Sequence, residues 1–110
     1  MDIKVEVINE ITVIELNGDL DSNTANTVQD QILAEAHPNS KILLDMSNVH
    51  YMSSAGLRLL LLLYRRIREQ VGQIAIVGVT DEVKDIMSIT GFLDFFSIFD
   101  DRNSGMNALK

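Results

Sequence analysis

The segment Asp45-Met-Ser-Asn-Val-His-Tyr-Met-Ser-Ser-Ala-Gly-Leu-Arg58 decides the fold, because it joins the two most hydrophobic parts of the chain. The apolar run 41–45 stands before it and a leucine-rich run continues after it. A short apolar run is typical of a strand covered on both faces, and apolar residues spaced by three and four predict a helix. The small residues between these runs, Ser53 to Gly56, are therefore where we look for function.

The rest of the chain alternates between strand and helix patterns. Residues 4–8 and 11–16 are β-branched, alternate apolar with polar residues, and predict an opening hairpin that turns at Asn9-Glu10. Helices are predicted over 24–36, from Ser54 to the stop at Gly72, over 81–89, and from Asn103 or Ser104 onward. Buried strands are predicted over 41–45 and 73–77, with a last short strand at 97–99 and a loop over 46–52.

This order, β-β-α-β-α-β-α-β-α, predicts an α/β fold. Strands that alternate with helices need crossover connections, so we expect a mixed, mostly parallel sheet of about five strands with an N-terminal hairpin and about four helices. A length of 110 residues with 46% hydrophobic residues suits one domain over residues 1–110.

Composition also excludes several classes of function. The chain has no cysteine, which rules out disulfides and cysteine metal sites and suits the cytoplasm. Its net charge of −7 disfavours direct binding to nucleic acid. The start of the chain does not resemble a secretion signal, and the longest apolar run, residues 59–64, is far shorter than the roughly 20 residues that span a bilayer. No motif for a cofactor or a metal is present.

The predicted second helix has one apolar arc, which we expect to form core: Leu57, Leu60, Leu63, Tyr64, Ile67 and Val71. Two leucines, Leu61 and Leu62, fall outside this arc among charged residues. Single exposed leucines are common and need no functional explanation. The sharper hypothesis is a partner-binding face that runs from Ser54 through Arg58 and Leu61 to Arg65.

Two adjacent serines begin this helix, and one of them is expected to be an N-terminal cap. The other hydroxyl is then spare. A phosphate on it would face free backbone N–H groups and the positive end of the helix dipole, and Arg58 lies one turn later. The phosphate would add about −1.5 to −2 charges to a small neutral surface and would expel a closely fitted partner. We therefore predict that Ser54 is a regulatory phosphoacceptor.

At this point the chain resembles the anti-sigma factor antagonists, the single-domain STAS proteins of bacterial partner-switching systems. The family pattern has a D-x-S turn, an aromatic-Met pair and D-S-x-G-L at the start of the second helix. Here these motifs stand as Asp45-Met-Ser47, Tyr51-Met52 and Ser53-Ser54-Ala55-Gly56-Leu57. Gly18-Asp19-Leu20-Asp21 resembles the family's G-E-L-D segment, and residues 86–92, with Thr90-Gly91, resemble its I-T-G-L stretch.

The resemblance implies a STAS-like fold and a partner switch, and places the family's phosphorylated serine at Ser54. Ser53 stands where the family has an acidic residue. The unmodified protein would bind a serine-kinase anti-sigma factor and so release a sigma factor, phosphorylation would block that binding, and a metal-dependent serine/threonine phosphatase would restore it. The residues expected at the partner-binding surface are Asp19, Asp21, Ser22, Ser53, Gly56, Arg58 and Leu61.

Three other functions compete with this hypothesis. A receiver-like domain would use Asp45 with Asp19 and Asp21, but no lysine occurs between Lys41 and Lys84 to hold a phosphoryl group. A hydrolase would need a base near Ser54, for which only His50 is available, and the G-x-S-x-G elbow is absent. The strongest alternative is a STAS subunit that regulates a transporter ATPase or another signalling complex without being phosphorylated.

Overall fold

The structure is a computed structural model, and it describes residues 1–89, 91, 94 and 96–109. Within these residues the chain forms five strands and four helices in the predicted order. The elements are β1 (Asp2–Ile8), β2 (Ile11–Asn17), α1 (Ala25–Glu35), β3 (Lys41–Asn48), α2 (Ser54–Glu69), β4 (Gln73–Val77), α3 (Asp81–Ile89), β5 (Ser97–Phe99) and α4 (Arg102–Ala108). Thr90 and Phe92, which belong to the stretch likened to I-T-G-L, lie outside the described residues.

The strands form one mixed sheet in the order β1-β2-β3-β4-β5. The hairpin strands β1 and β2 are antiparallel, and every later pair is parallel. Asn9 and Glu10 both have positive φ, 51° and 69°, which is the conformation of a two-residue hairpin turn that matches strand twist. The predicted α/β architecture is confirmed.

Side chains on the two faces of the sheet enter two separate cores. The larger core lies under α1, α2 and α3, and β3 contributes Ile42, Leu44 and Met46 to it. The smaller core lies under α4, where Leu43 of β3 meets Leu109. Because successive residues of a strand point to opposite faces, a strand buried on both sides reads as the continuous apolar run seen here.

Several predicted boundaries were wrong. Strand β3 continues to Asn48, so the loop expected over 46–52 is shorter, and α4 begins at Arg102 behind a cap in which Asp101 accepts from the Ser104 amide at 2.9 Å. The expected core arc of α2 also needs correction. Leu59 is buried, since α1 packs on that side of the helix, whereas Val71 is 76% exposed.

Asp45 is the one buried charged residue of the described core, and α4 supplies its partner. Its carboxylate accepts from the Ser47 amide at 3.0 Å and from Arg102 Nε at 2.8 Å. Arg102 continues to Glu15 at 3.1 Å and Glu6 at 3.3 Å. Burial alone would raise the pKa of Asp45, but the hydrogen bonds from Ser47 and Arg102 outweigh it and hold that pKa below its ordinary value.

We predict that Asp45→Asn lowers the free energy of unfolding by about 2 kcal/mol at neutral pH, because it breaks charge-assisted hydrogen bonds to a nearly buried group. A carboxyl whose folded pKa is depressed stabilises the fold above its unfolded pKa, about 4, and loses that contribution as pH falls through the folded pKa. Urea unfolding should thus show the difference from the parent protein shrinking below about pH 4. The exposed control Asp30→Asn should change little, and a constant difference across pH would contradict the assignment.

Helix α2 ends in an unusual conformation. The amide of Gly72 donates to Ile67 O at 2.8 Å, so Gly72 does follow the helix stop, but the left-handed residue is Val71 with φ of 60°. A β-branched residue is strained there, and its side chain is mostly exposed. Val71 therefore lowers the stability of the fold, and its side chain gains no burial in return.

Replacing Val71 with glycine should raise the free energy of unfolding by up to about 1 kcal/mol, since the relief of left-handed strain exceeds the entropic cost of a glycine. Thermal and urea unfolding would measure it. As a matched control, Val83→Gly on α3 should destabilise strongly, because Val83 is fully buried. A loss of stability in Val71→Gly would show that the conformation carries no strain.

Main-chain hydrogen bonds join the loop after β2 to the loop before α2. Leu20 N donates to Tyr51 O at 3.0 Å, and Ser53 N donates to Leu20 O at 2.9 Å. Gly56, in the first turn of α2, faces the same main chain: a Cβ built on it would lie 2.8 Å from Leu20 O and 2.8 Å from Met52 Cγ. Only glycine lets the helix come this close, so Gly56 fixes where α2 begins.

A methyl group at Gly56 should therefore push α2 away from Leu20. We expect Gly56→Ala to destabilise the protein by roughly 1 to 2 kcal/mol, because overpacking against a fixed carbonyl exceeds the gain in helix propensity. Urea unfolding tests this expectation. The neighbouring change Ala55→Gly removes a Cβ at the same helix turn and should cost no more than about 1 kcal/mol; a more stable Gly56→Ala protein would mean that no close contact exists there.

Candidate functional site

Ser54 is the first residue of α2 and its side chain is exposed. It follows directly on the segment that is bonded to Leu20, so the position of its hydroxyl is set by the helix start. Within the described part of the chain this hydroxyl makes no hydrogen bond. A small nucleophilic group thus stands free at the surface on a rigid support.

Ser53 occupies the N-cap position, with φ of −90° and ψ of 177°, but it does not act as a cap. Its side chain makes no capping hydrogen bond, and its Oγ is buried without a partner among the described atoms. The expectation that one serine caps the helix was therefore wrong. Because the first amides of a helix have no partner within the helix, α2 begins with donors that no side chain of the described residues satisfies.

The loop at Asp19 and Asp21 lies beside this helix start, because these residues flank Leu20, which is bonded to Tyr51 and Ser53. Asp21 Oδ1 accepts from the Asn23 amide at 2.9 Å, and the Thr24 hydroxyl donates to Asp19 O at 2.8 Å. Thr24 holds the N-cap position of α1. Asp21 instead shapes the turn, which leaves Asp19 and Ser22 exposed.

A shallow groove of about 250 Å³ separates α1 from α2. The α1 side contributes Ser22 and the α2 side contributes Arg58, which brings together two of the predicted site residues. The other residues that line it are Ala25, Asn26, Gln29, Ala55, Leu59 and Leu62. The α1 contribution was not predicted, because Asn26 and Gln29 reach the groove only through the packing of α1 beside α2.

Leu61 is half-buried and lies outside that groove. It lines a second, open hollow of about 300 Å³ with Tyr64, Arg65, Arg68 and Glu69. Residues of the predicted face therefore line two separate hollows on one helix, Arg58 the groove and Leu61 with Arg65 the second hollow. Arg58 and Arg65 are both exposed, and Arg58 makes no hydrogen bond or ion pair with any described residue.

Gly56 was predicted at the partner surface, and this assignment needs correction. The residue is buried against Leu20 and Met52, so it has no surface to offer a partner. Ser53 is only partly exposed and its Oγ is buried, which also limits it to a supporting role. The exposed groups that remain at the site are Asp19, Ser22, Ser54 and Arg58.

Other chemistry finds little support at this site. His50 is exposed, and no hydrogen bond to a described residue holds it in place as a base for Ser54. The Asp45 carboxylate is bonded to Ser47 and Arg102, and no cluster of metal-binding side chains occurs among the described residues. None of the described helices is both long and apolar enough to cross a bilayer.

Comparison with known proteins gives the family. The model of the STAS domain matches residues 2–105. BtrV of Bordetella bronchiseptica, named an anti-sigma factor antagonist, is 26% identical over 111 residues, which cover 100% of this chain and 96% of that protein. The anti-sigma F factor antagonist of Paenibacillus polymyxa is 24% identical over 112 residues, with 100% and 96% covered.

The fold has close structural counterparts as well. A Thermotoga maritima protein described as an anti-sigma factor antagonist superimposes with a TM-score of 0.90 at 19% identity, over 97% of this chain and 93% of that one. A likeness at this identity speaks for the fold alone, whereas the family model spans nearly the whole chain. The resemblance inferred from the motifs around Ser54 is thereby confirmed, and the chain belongs to the STAS domain family.

Proposed function

We propose that this protein is a cytoplasmic anti-sigma factor antagonist switched by phosphorylation of Ser54. In the unmodified form it binds a serine-kinase anti-sigma factor, which then releases its sigma factor. Phosphorylation by that kinase ends the binding. A metal-dependent serine/threonine phosphatase restores the unmodified form.

The exposed hydroxyl of Ser54 on an uncapped helix start carries this proposal. Since Ser53 does not cap the helix, the first amides of α2 remain available as donors for a phosphate on Ser54. Arg58 has no ion pair with any described residue and lies one turn later, where a long side chain leans back toward the N-terminus. The modified form can therefore keep the fold and change only its surface.

The loop at Asp19 and Asp21 is acidic, so the charge near Ser54 would differ strongly between the unmodified and the phosphorylated form. Asp19 is exposed next to the segment that is bonded to Ser53, and Asp21 is half-buried beside it. A phosphate on Ser54 adds about −1.5 to −2 charges to this neighbourhood. A partner that fits the unmodified surface with a cationic group near Asp19 and a close contact at Ser54 loses that fit when the phosphate is buried unmatched. A difference of roughly 3 kcal/mol would weaken binding by more than a hundredfold.

The test is a binding assay with the serine kinase that co-purifies with the protein from its own cells. After incubation with this kinase and ATP, the parent protein should gain the mass of one phosphate and lose affinity by roughly a hundredfold or more. Ser54→Ala should bind without being modified and should remain bound. Intact-mass spectrometry and surface plasmon resonance give the two readouts.

Ser53→Ala is the matched control, since it removes the adjacent hydroxyl, whose Oγ has no partner to lose. This variant should still be modified and released. A phosphate found on Ser53, or a protein left unmodified in its own cells under every growth condition, would contradict the switch. An unmodified Ser54 together with co-purifying membrane components would favour the alternative, a regulatory subunit of a transporter ATPase.

A further inference from the structure

The free edge of β1 is exposed and carries both apolar and charged side chains. Strand β1 pairs with β2 on one side, and no strand of the described chain pairs with its other side. Val5, Val7 and Ile8 are 36%, 68% and 37% exposed. An unpaired edge strand of seven residues with exposed apolar side chains is a template for pairing with another chain, unless the sequence blocks it.

The hairpin register determines which backbone groups are free. Ile8 and Ile11 flank the two-residue turn, and the pairing then runs without interruption to Asp2 opposite Asn17. In such a hairpin the flanking residues form a hydrogen-bonded pair, and bonded and non-bonded pairs alternate from there. The even-numbered residues of β1 therefore bond to β2. The amides and carbonyls of Ile3, Val5 and Val7 point to the open edge.

We propose that β1 pairs antiparallel with β1 of a second copy of this chain, centred on Val5, so that two sheets join into one. In this register Val5 lies opposite Val5 of the second copy, and Ile3 lies opposite its Val7. All three residues with free backbone groups are then in bonded pairs. The same side chains face the α1 and α2 side of the sheet, where Ile3 already packs against the larger core, so Val7 gains an apolar neighbour.

In this register, charged side chains of β1 lie opposite side chains of the opposite charge on β1 of the second copy. Lys4 comes opposite Glu6 of the second copy, and the two-fold axis repeats the pair. These are non-bonded positions, where side chains approach most closely. Both side chains are accessible: Lys4 is 71% exposed and 3.9 Å from Glu15, and Glu6 is 59% exposed and 3.3 Å from Arg102.

Neighbouring registers are disfavoured by the same charges. If the second strand slides by one bonded pair, which is two residues, in one direction, the two-fold axis passes through Lys4. The Lys4 side chains of the two copies then lie opposite each other. A shift in the other direction centres the dimer on Glu6 and places two glutamates opposite each other. Like charges directly opposite destabilise a strand pair, so the sequence selects the register at Val5 and the second copy as its occupant.

Sedimentation velocity across the micromolar range tests the proposal on the unphosphorylated protein without any other partner, so its outcome does not depend on the function of Ser54. The parent protein should show a reversible dimer. Lys4→Glu and Glu6→Lys, studied separately, should each weaken dimerisation at least roughly tenfold, because two attractive pairs become repulsive. An equal mixture of the two variants should dimerise again, since opposite charges then meet across the axis.

Further variants separate edge pairing from general effects. Val5→Pro removes an amide that faces the open edge, so it should abolish the dimer while circular dichroism and thermal unfolding stay close to those of the parent. Lys84→Glu makes the same change of net charge as Lys4→Glu, but on α3, and this variant should dimerise normally. A parent protein that stays monomeric would overturn the proposal. So would a dimer unaffected by Val5→Pro, or a mixture of charge variants that remains monomeric.

Discussion

The backbone contact at Leu20 is the constraint on which the site depends. Its amide and carbonyl are both bonded to the segment that precedes α2, at Tyr51 and Ser53. The first turn of the helix can approach this point only because position 56 has no side chain. One local contact thus sets the start of the helix, the exposure of Ser54 and the proximity of the acidic loop.

The arginines on the two faces of the sheet have different surroundings. The chain carries a net charge of −7, yet four exposed arginines lie along α2: Arg58, Arg65, Arg66 and Arg68. The other prominent arginine, Arg102, is bonded to three carboxylates on the opposite face of the sheet, where it ties α4 to the strands. One face of the molecule therefore uses Arg102 for cohesion, whereas the arginines of α2 are exposed to solvent, and Arg68 also lies 5.8 Å from the centre of the Tyr64 ring.

The sequence allowed the element order, the mixed sheet and the position of Ser54 to be predicted, because these depend on local periodicity and on small residues at a helix start. Contacts between distant residues could not be predicted. The Arg102–Asp45 pair joins positions 57 residues apart, and nothing in either neighbourhood indicates it. Burial of Leu59 likewise depends on α1 packing beside it. The prediction that a serine caps α2 was wrong for a related reason. Serine is a residue type that suits a cap, but the backbone turns the hydroxyl of Ser53 inward.

The fixed start of α2 also limits which kinds of enzyme could modify Ser54. Protein kinases and phosphatases that read linear motifs need several residues in extended form around the modified side chain. Here the residues after Ser54 are helical and those before it are held by main-chain bonds to Leu20, so no extended stretch is available without local unfolding. An enzyme specific for this serine must recognise the folded surface, and an isolated peptide of the same sequence lacks that surface.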